Sequence, residues 1–470
     1  MYSTERTSLV IEPHVPVDEP WNSQLRAVAE QERAAHELLQ ADPATLANEK
    51  ETFFSSGHTY NPDLRPRHID ETVMENEAEL LSFKEQLRAD TSLEPTINQA
   101  YRWRVNEIIA ERRMVKAAQE GDKRRFEAYN HFIYGAPDKE IFAATADWFR
   151  AEAQALLAHE NESVREAAQH VLEMVPDLNG NRFALVPDSE TFQKIQKRHN
   201  QPSGHFALLF NGVELPERGL VTPDIGEPIL EKVRENLHAN DYSITDAAGT
   251  VWSVSHGRKE LQRPAQYRMP LKRLVGLGPG HEWTHVLERI NGDRQPLRLS
   301  GFGLDRYEQG NEGRAVIREQ VPFDSFEAFS RQLRWQDILR RHFAISIAEG
   351  LGREKGDFSH TYAVINAVDR LWERQKDPDN IAKADQKADD RTWALLATRI
   401  MRGTDGTGGA YLKDKVYLEG NIACWKVARE NPELIEAGDL AKFDIANSRH
   451  IALLQATGVL PRQEDMSGDA

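Results

Sequence analysis

The segment Gly280-His281-Glu282-Trp283-Thr284-His285 holds two histidines four residues apart with a glutamate beside the first, and this H-E-x-x-H pattern constrains the fold more than any other stretch of the chain. Residues at i and i+4 lie one above the other on a helix, so a helical segment lets both imidazoles share one cation. Glu282 then projects at an adjacent angle, where it can take a proton from zinc-bound water without being a ligand. Pro279 suits a first helical turn and Asn291-Gly292 a stop, which predicts a metal helix over 279–291. A catalytic zinc needs a third protein ligand and leaves a fourth position for water or substrate. The residues after His285, from Val286 to Ile290, lack the spaced third histidine of metzincins. Among the carboxylates, Glu288 shares the short metal helix and would crowd His285. Glu312, on a second helical stretch over 306–320, is the preferred third ligand, with Glu308 its close competitor and Asp305 the next. The blander alternative is a solvated helix with two surface histidines and a Glu312 that caps its own helix.

Any such site must be made of histidines and carboxylates. Cys424 is the one cysteine, so neither an internal disulfide nor a thiolate cage is available, and Cys424 itself reads as a small buried residue. The 470 residues correspond to two or three units of ~150 residues. A hydrophobic fraction of 40% with 29% charged residues fits a folded, water-soluble protein. Met1 to Thr7 lack the basic start and apolar run of a secretion signal, and no apolar stretch of ~20 residues could span a bilayer, so a reducing, cytoplasmic location with no membrane partner is expected. The net charge of -16 disfavours nucleic acid and anionic membranes as partners.

Periodicity predicts an α+β protein that is mostly α. Residues 1–20, with Pro13, Pro16 and Pro20 among acidic residues, read as a flexible arm, and residues 461–470 as a flexible tail. Residues 21–175 read as an extended helical N-terminal region, in which Ile97, Tyr101, Val105, Ile108 and Ile109 mark one amphipathic run. The catalytic region is placed at 176–460. Strand signals in it gather at Arg182 to Val186, His205 to Phe210 and Asp241 to His256, the last carrying Tyr242, Ile244, Val251, Trp252 and Val254, so a small sheet is expected there. Helical periodicity returns after Pro322 and runs to the glycine-rich loop Gly403 to Gly409.

Read in order, His281-Glu282 to His285, Asn291-Gly292, Gln295-Pro296-Leu297, Gly303-Leu304 and Glu312-Gly313-Arg314-Ala315 resemble the tyrosine carboxypeptidases, a family related to the microtubule-associated enzymes that detyrosinate α-tubulin, with bacterial members named after a Q-E-G-L-A motif. Upstream Asn61-Pro62 and Ile133-Tyr134-Gly135-Ala136-Pro137, and downstream Arg399 to Thr404 and Lys413 to Gly420, extend the resemblance over most of residues 50 to 440. It implies a zincin-like catalytic domain with one zinc ion on His281, His285 and Glu312, Glu282 as general base, and a peptide or protein C-terminus as substrate, from which an aromatic residue such as Tyr or Phe is released. Two features depart from the family pattern. Its histidines are five apart, whereas here Thr284-His285 closes an ordinary zincin spacing, and its E-G-L-A is here Glu312-Gly313-Arg314-Ala315. Gly276, Gly278 and Gly280 read as loosening the approach to the metal helix. A carboxypeptidase also needs a cation for the terminal carboxylate. Arg399 and Arg402 stand in a matching segment, with Lys413 and Lys415 as alternatives, and Tyr417 is a candidate donor to the developing oxyanion. The competing functions are a catalytically silent regulatory or scaffold relative, and a zinc aminopeptidase or endopeptidase.

Overall fold

A computed structural model of the chain describes residues 8–30, 35–67, 72–216, 219–247, 252–351 and 356–462. Helix accounts for 64% and strand for 4%, so helix packing builds the core and the expectation of a mainly α fold with a small sheet holds. No helix among the described residues is long and apolar enough to cross a membrane.

Among the described residues the N-terminal region between Trp21 and Met174 is mainly helical, with a non-helical stretch after Ser55. Its longest helix, α1 (Pro95–Glu120), shows why these residues form these elements. Pro95 occupies the first turn, the Glu94 carboxylate accepts from the backbone N–H groups of Thr96 and Ile97, and Gly121 ends the helix with φ +71°. The periodic residues Ile97, Tyr101, Val105, Ile108 and Ile109 are all buried. This region shares its core with the rest of the chain. Phe142 and Phe149 on the helix Lys139–Leu156 pack their rings 5.3 and 5.2 Å from Phe343, and Trp148 lies 5.9 Å from Trp335.

Residues 8–20 are non-helical, but they do not form a loose arm. The backbone N–H groups of His14 and Val17 donate to the carbonyls of Arg294 and Pro296, and Ile11 N–H donates to Asn291 Oδ1. Asp18, fully buried, accepts from the N–H groups of Arg298 and Leu299 and from the Tyr101 hydroxyl. These are buried polar groups that need partners, and the segment is tied down by them. Residues 1–7 of the expected arm and 463–470 of the expected tail lie outside the described residues, as does Val251.

Two small sheets sit in the middle of the chain. β1 (Leu220–Val221) pairs antiparallel with β5 (Met269–Pro270). In the second sheet β4 (Glu260–Pro264) is central, parallel to β2 (Ser243–Ala247) and antiparallel to β3 (Ser253–Ser255). The strands expected at 182–186 and 205–210 are instead a 3₁₀ turn, Arg182–Leu185, and a short helix, His205–Leu209. Both runs are apolar and too short for period 2 to be told from period 3.6. Asn181 settles the first by accepting from Phe183 N–H as a cap, and Ala207-Leu208-Leu209 favours helix in the second.

Five further elements complete the helical frame. The helix that carries His285 is α2 (Trp283–Gly292), followed by α3 (Glu308–Gln320), α4 (Leu333–Ala348), α5 (Phe358–Lys376) and α6 (Val416–Glu430). α3 and α6 cross at glycines: a Cβ on Gly313 would overlap the Gly420 carbonyl group, and one on Gly420 would overlap the Gln309 carbonyl oxygen. Only two glycines permit so close an approach of backbones.

Candidate metal centre

The metal helix begins earlier than a proline at the first turn would have it. Leu271–Val275 is helical, Gly276–Glu282 continues as a π segment with Pro279 inside it, and α2 follows without a break. Pro279 has no N–H to give to the preceding turn, and the helix widens there. The glycines do not loosen this approach. A Cβ on Gly276 would lie 3.1 Å from Glu319 Cα and one on Gly280 3.0 Å from the Arg318 carbonyl oxygen. They let the π segment lie backbone to backbone against α3, which delivers the α3 carboxylates to His281.

Three side chains meet at that contact. Glu312 Oε2 lies 3.2 Å from His281 Nε2 and 3.7 Å from His285 Nε2, and a ligand atom from each of the three residues falls within 4.8 Å of the others. A tetrahedral zinc with bonds of ~2.05 Å separates its ligand atoms by about 3.3 Å, close to the two measured distances. Glu312 Oε2 is buried and has no partner in hydrogen-bond geometry, although both imidazoles are near. Two ring nitrogens and a carboxylate oxygen converging on one point suit a cation between them. The electrostatics agree. Burial alone would lower the His281 pKa, but Glu319 and Glu312 overcome it and push the ring up to about 10. Burial would raise the Glu312 pKa, and His285 and His281 hold it well below the ordinary carboxylate value. Both shifts describe a place that stabilises positive charge. The residues present therefore fit a divalent metal ion.

The supports behind these ligands include a residue that sequence reading missed. His281 Nδ1 lies 2.7 Å from Glu319 Oε1, which turns Nε2 toward Glu312. Glu319 is 2% exposed and is gripped by Arg334 through Nε at 2.8 Å and Nη2 at 2.8 Å. Burial would raise its pKa, but Arg334 and His281 bring it down to about 2. Glu319 is seven residues beyond Glu312 and so on the same helical face, the one sequence signal that could have found it. For His285, Nδ1 has the Asn311 amide at 3.0 Å and Glu288 Oε2 at 3.4 Å. Nε2 is free for a metal when Nδ1 carries the proton, with Glu288 and an Asn311 amide turned to present Oδ1 as the acceptors.

The Arg314 that stands where the resembled family has leucine has a structural role. It is 1% exposed, pairs with Glu288 and donates through Nη1 to Asp439 Oδ1 at 2.9 Å. Arg318 donates to Asp439 through Nη2 and to Thr284 Oγ1 through Nη1 at 2.6 Å, and His205 Nδ1 lies 3.1 Å from Asp439 Oδ2. Glu288 is thereby occupied as a counter-ion. Asp305, the more distant competitor, pairs with Arg449 at 2.6 Å, and Glu308 with Lys413 at 3.2 Å.

The three residues open on a cavity of about 440 Å³ that Glu282 also lines. Burial raises the Glu282 pKa, opposed by His281 and His285. Arg399, Arg402, Lys413 and Tyr417 line the same cavity, brought from a segment far downstream in the chain. Arg399 lies 3.2 Å from Asp414, and Arg402 donates to the His36 carbonyl at 3.2 Å and covers the Tyr411 ring. Tyr417 stacks 6.4 Å from the His281 ring, with the guanidinium groups of Arg334 and Arg341 at 5.3 and 5.4 Å from its ring. Lys415 is turned away, buried against Glu419 at 2.5 Å. The lining also brings in residues the sequence did not suggest, among them His256 and Lys442. A second, more apolar cavity of about 540 Å³, lined by Trp148, Phe183, Phe192 and Phe326, lies away from this chemistry. No model of a known protein family, curated protein or solved structure significantly matches the chain.

Proposed function

We propose that the chain is a zinc-dependent metallopeptidase of carboxypeptidase type, in which a zincin-like catalytic region holds one zinc ion on His281, His285 and Glu312. The observation that carries this reading is the convergence of the three side chains within 4.8 Å at the wall of a cavity that Glu282 shares. Two imidazoles and one carboxylate, with one side open, form the donor set of catalytic zinc sites. When bound, zinc supplies Lewis acidity toward a scissile carbonyl and acidifies the attacking water.

The remaining steps belong to the chain's own residues. Glu282 accepts a proton from the attacking water on its carboxylate and passes it to the leaving amine nitrogen. Tyr417, held beside His281 by two neighbouring guanidinium groups, supplies a hydroxyl donor as negative charge develops on the carbonyl oxygen. Arg399, Arg402, Lys413 and Lys442 line the cavity and offer cationic groups to a peptide with a free carboxylate. The resemblance to tyrosine carboxypeptidases points to the same chemistry, with Tyr or Phe as the residue released, and the single cysteine favours a reducing, cytoplasmic compartment.

The test is Glu282→Gln. It is expected to keep zinc at the wild-type level and to lose at least about 100-fold in hydrolysis of peptides ending in a free aromatic residue, a loss within the usual range for a general base. Wild-type turnover by Glu282→Gln at full zinc loading would overturn the assigned role.

A further inference from the structure

The cavity carries four cationic side chains, Arg399, Arg402, Lys413 and Lys442, and four carboxylates, Glu282, Glu308, Glu312 and Asp414. Most of these charges are already matched. Arg399 has Asp414, Lys413 has Glu308, and Glu312 faces the two histidines. Arg402 has a carbonyl and an aromatic face.

Lys442 differs. It is 4% exposed, and among the described residues its ammonium makes one hydrogen bond, to His256 Nε2 at 2.7 Å, and no ion pair. His256 Nε2 can only accept from an ammonium, so its Nδ1 carries the ring proton and donates to the Tyr242 hydroxyl at 2.9 Å. Tyr242 packs against Trp283 of the metal helix, with ring centroids 6.4 Å apart. The Lys442 backbone is pinned on both sides, its N–H donating to the Ser300 carbonyl at 2.8 Å and its carbonyl accepting from Leu304 N–H at 3.1 Å. The side chain is thus held at the cavity wall with donors to spare. A buried ammonium whose partner is a neutral ring is costly to keep charged. Burial, Arg289 and Arg26 outweigh Asp293 and Glu30 and bring its pKa down to about 7. An anion entering the cavity would remove that cost.

We propose that Lys442, oriented by His256 and Tyr242, is the group that receives the substrate's terminal carboxylate. The inference rests on the peptidase reading for the identity of the anion, whereas the site itself is defined by the cavity and the unmatched ammonium. It moves the anchor from the Arg399 side, where the cations have partners, to the wall formed by β3 and residue 442.

The probes are 2-benzyl-3-sulfanylpropanoic acid and its primary amide, titrated into the cobalt(II)-substituted protein. The thiolate-to-cobalt absorption band reports binding without any need for turnover. Wild type is expected to bind the acid about 10- to 100-fold more tightly than the amide, the range for a charge-assisted hydrogen bond. Lys442→Met should abolish this preference while leaving cobalt content and amide affinity unchanged, which also shows that the variant is folded, and Lys442→Arg should retain much of it. Equal binding of acid and amide by wild type would overturn the anchor and leave the metal reading standing. Loss of the preference in Arg402→Met, with Lys442→Met unaffected, would place the anion on Arg402 and overturn the proposal. Failure of both thiols to bind a cobalt-loaded wild type would remove the open metal position, and with it the peptidase reading.

Discussion

Replacing Glu319 by glutamine removes one negative charge from behind a metal-facing histidine and leaves the volume nearly unchanged. In the wild type this carboxylate lies 2.7 Å from His281 Nδ1 and is 2% exposed. A charge-assisted contact of this kind contributes about 1.5–3 kcal/mol, and the loss of a carboxylate partner behind a ligating histidine lowers metal affinity by about 10- to 100-fold, the same range. Glutamine also leaves the partly buried Arg334 with its closest counter-charge gone, so a separate loss of about 1–3 kcal/mol in folding stability is expected. The two effects are read apart by measuring zinc affinity in competition with a chromophoric chelator, well below the unfolding temperature, and stability by urea denaturation. If Glu319→Gln held zinc as tightly as wild type while losing the expected stability, Glu319 would serve Arg334 alone and its positioning of His281 would be refuted.

Two other perturbations follow from the same geometry. Gly313→Ala should force α3 away from α6 at the point where Gly313 meets Gly420, costing more than about 3 kcal/mol in denaturant unfolding and lowering metal content, because Glu312 is the adjacent residue. Acid sensitivity is expected from His199, fully buried with its Nδ1–H donating to the Ile195 carbonyl, whose pKa burial and Arg318 lower from 6.5 to about 3. The folded state stays neutral while the unfolded state binds a proton, so this stability is fully present above pH 6.5 and is lost as pH falls from 6.5 toward 3, by up to about 1.4 kcal/mol per pH unit. His199→Gln should flatten that part of the stability-versus-pH curve, and an unchanged slope would refute the assignment.

The readable parts of this molecule were those with a strong local signal. The apolar periodicity between Pro95 and Glu120, the Pro and Gly at its ends, and the helix carrying Glu312 needed no knowledge of the rest of the chain. His281 and His285 were legible because their i,i+4 spacing is local, whereas Glu312 was a preference over Glu308 and Asp305 that the resemblance supported, and the structure brings the three together. The π segment was not legible, since Gly276 to Gly280 reads as a breaker until the backbone of α3 is beside it. Lys442 and His256 are 186 residues apart, and neither has a neighbouring motif to mark it. Arg314 looked like a departure from a family pattern and proved to be the counter-ion of Glu288 and Asp439. β4 was missed because Glu260-Leu261-Gln262-Arg263-Pro264 buries only Leu261, Arg263 and Pro264, and a buried arginine disguises the alternation.

The central claim is that His281, His285 and Glu312 hold one metal ion, and elemental analysis of the purified protein after reconstitution with zinc tests it most directly. About one zinc per chain in the wild type, lost in both His285→Ala and Glu312→Ala, is the predicted result. A wild-type protein that binds no zinc, or variants that keep it in full, would contradict the account.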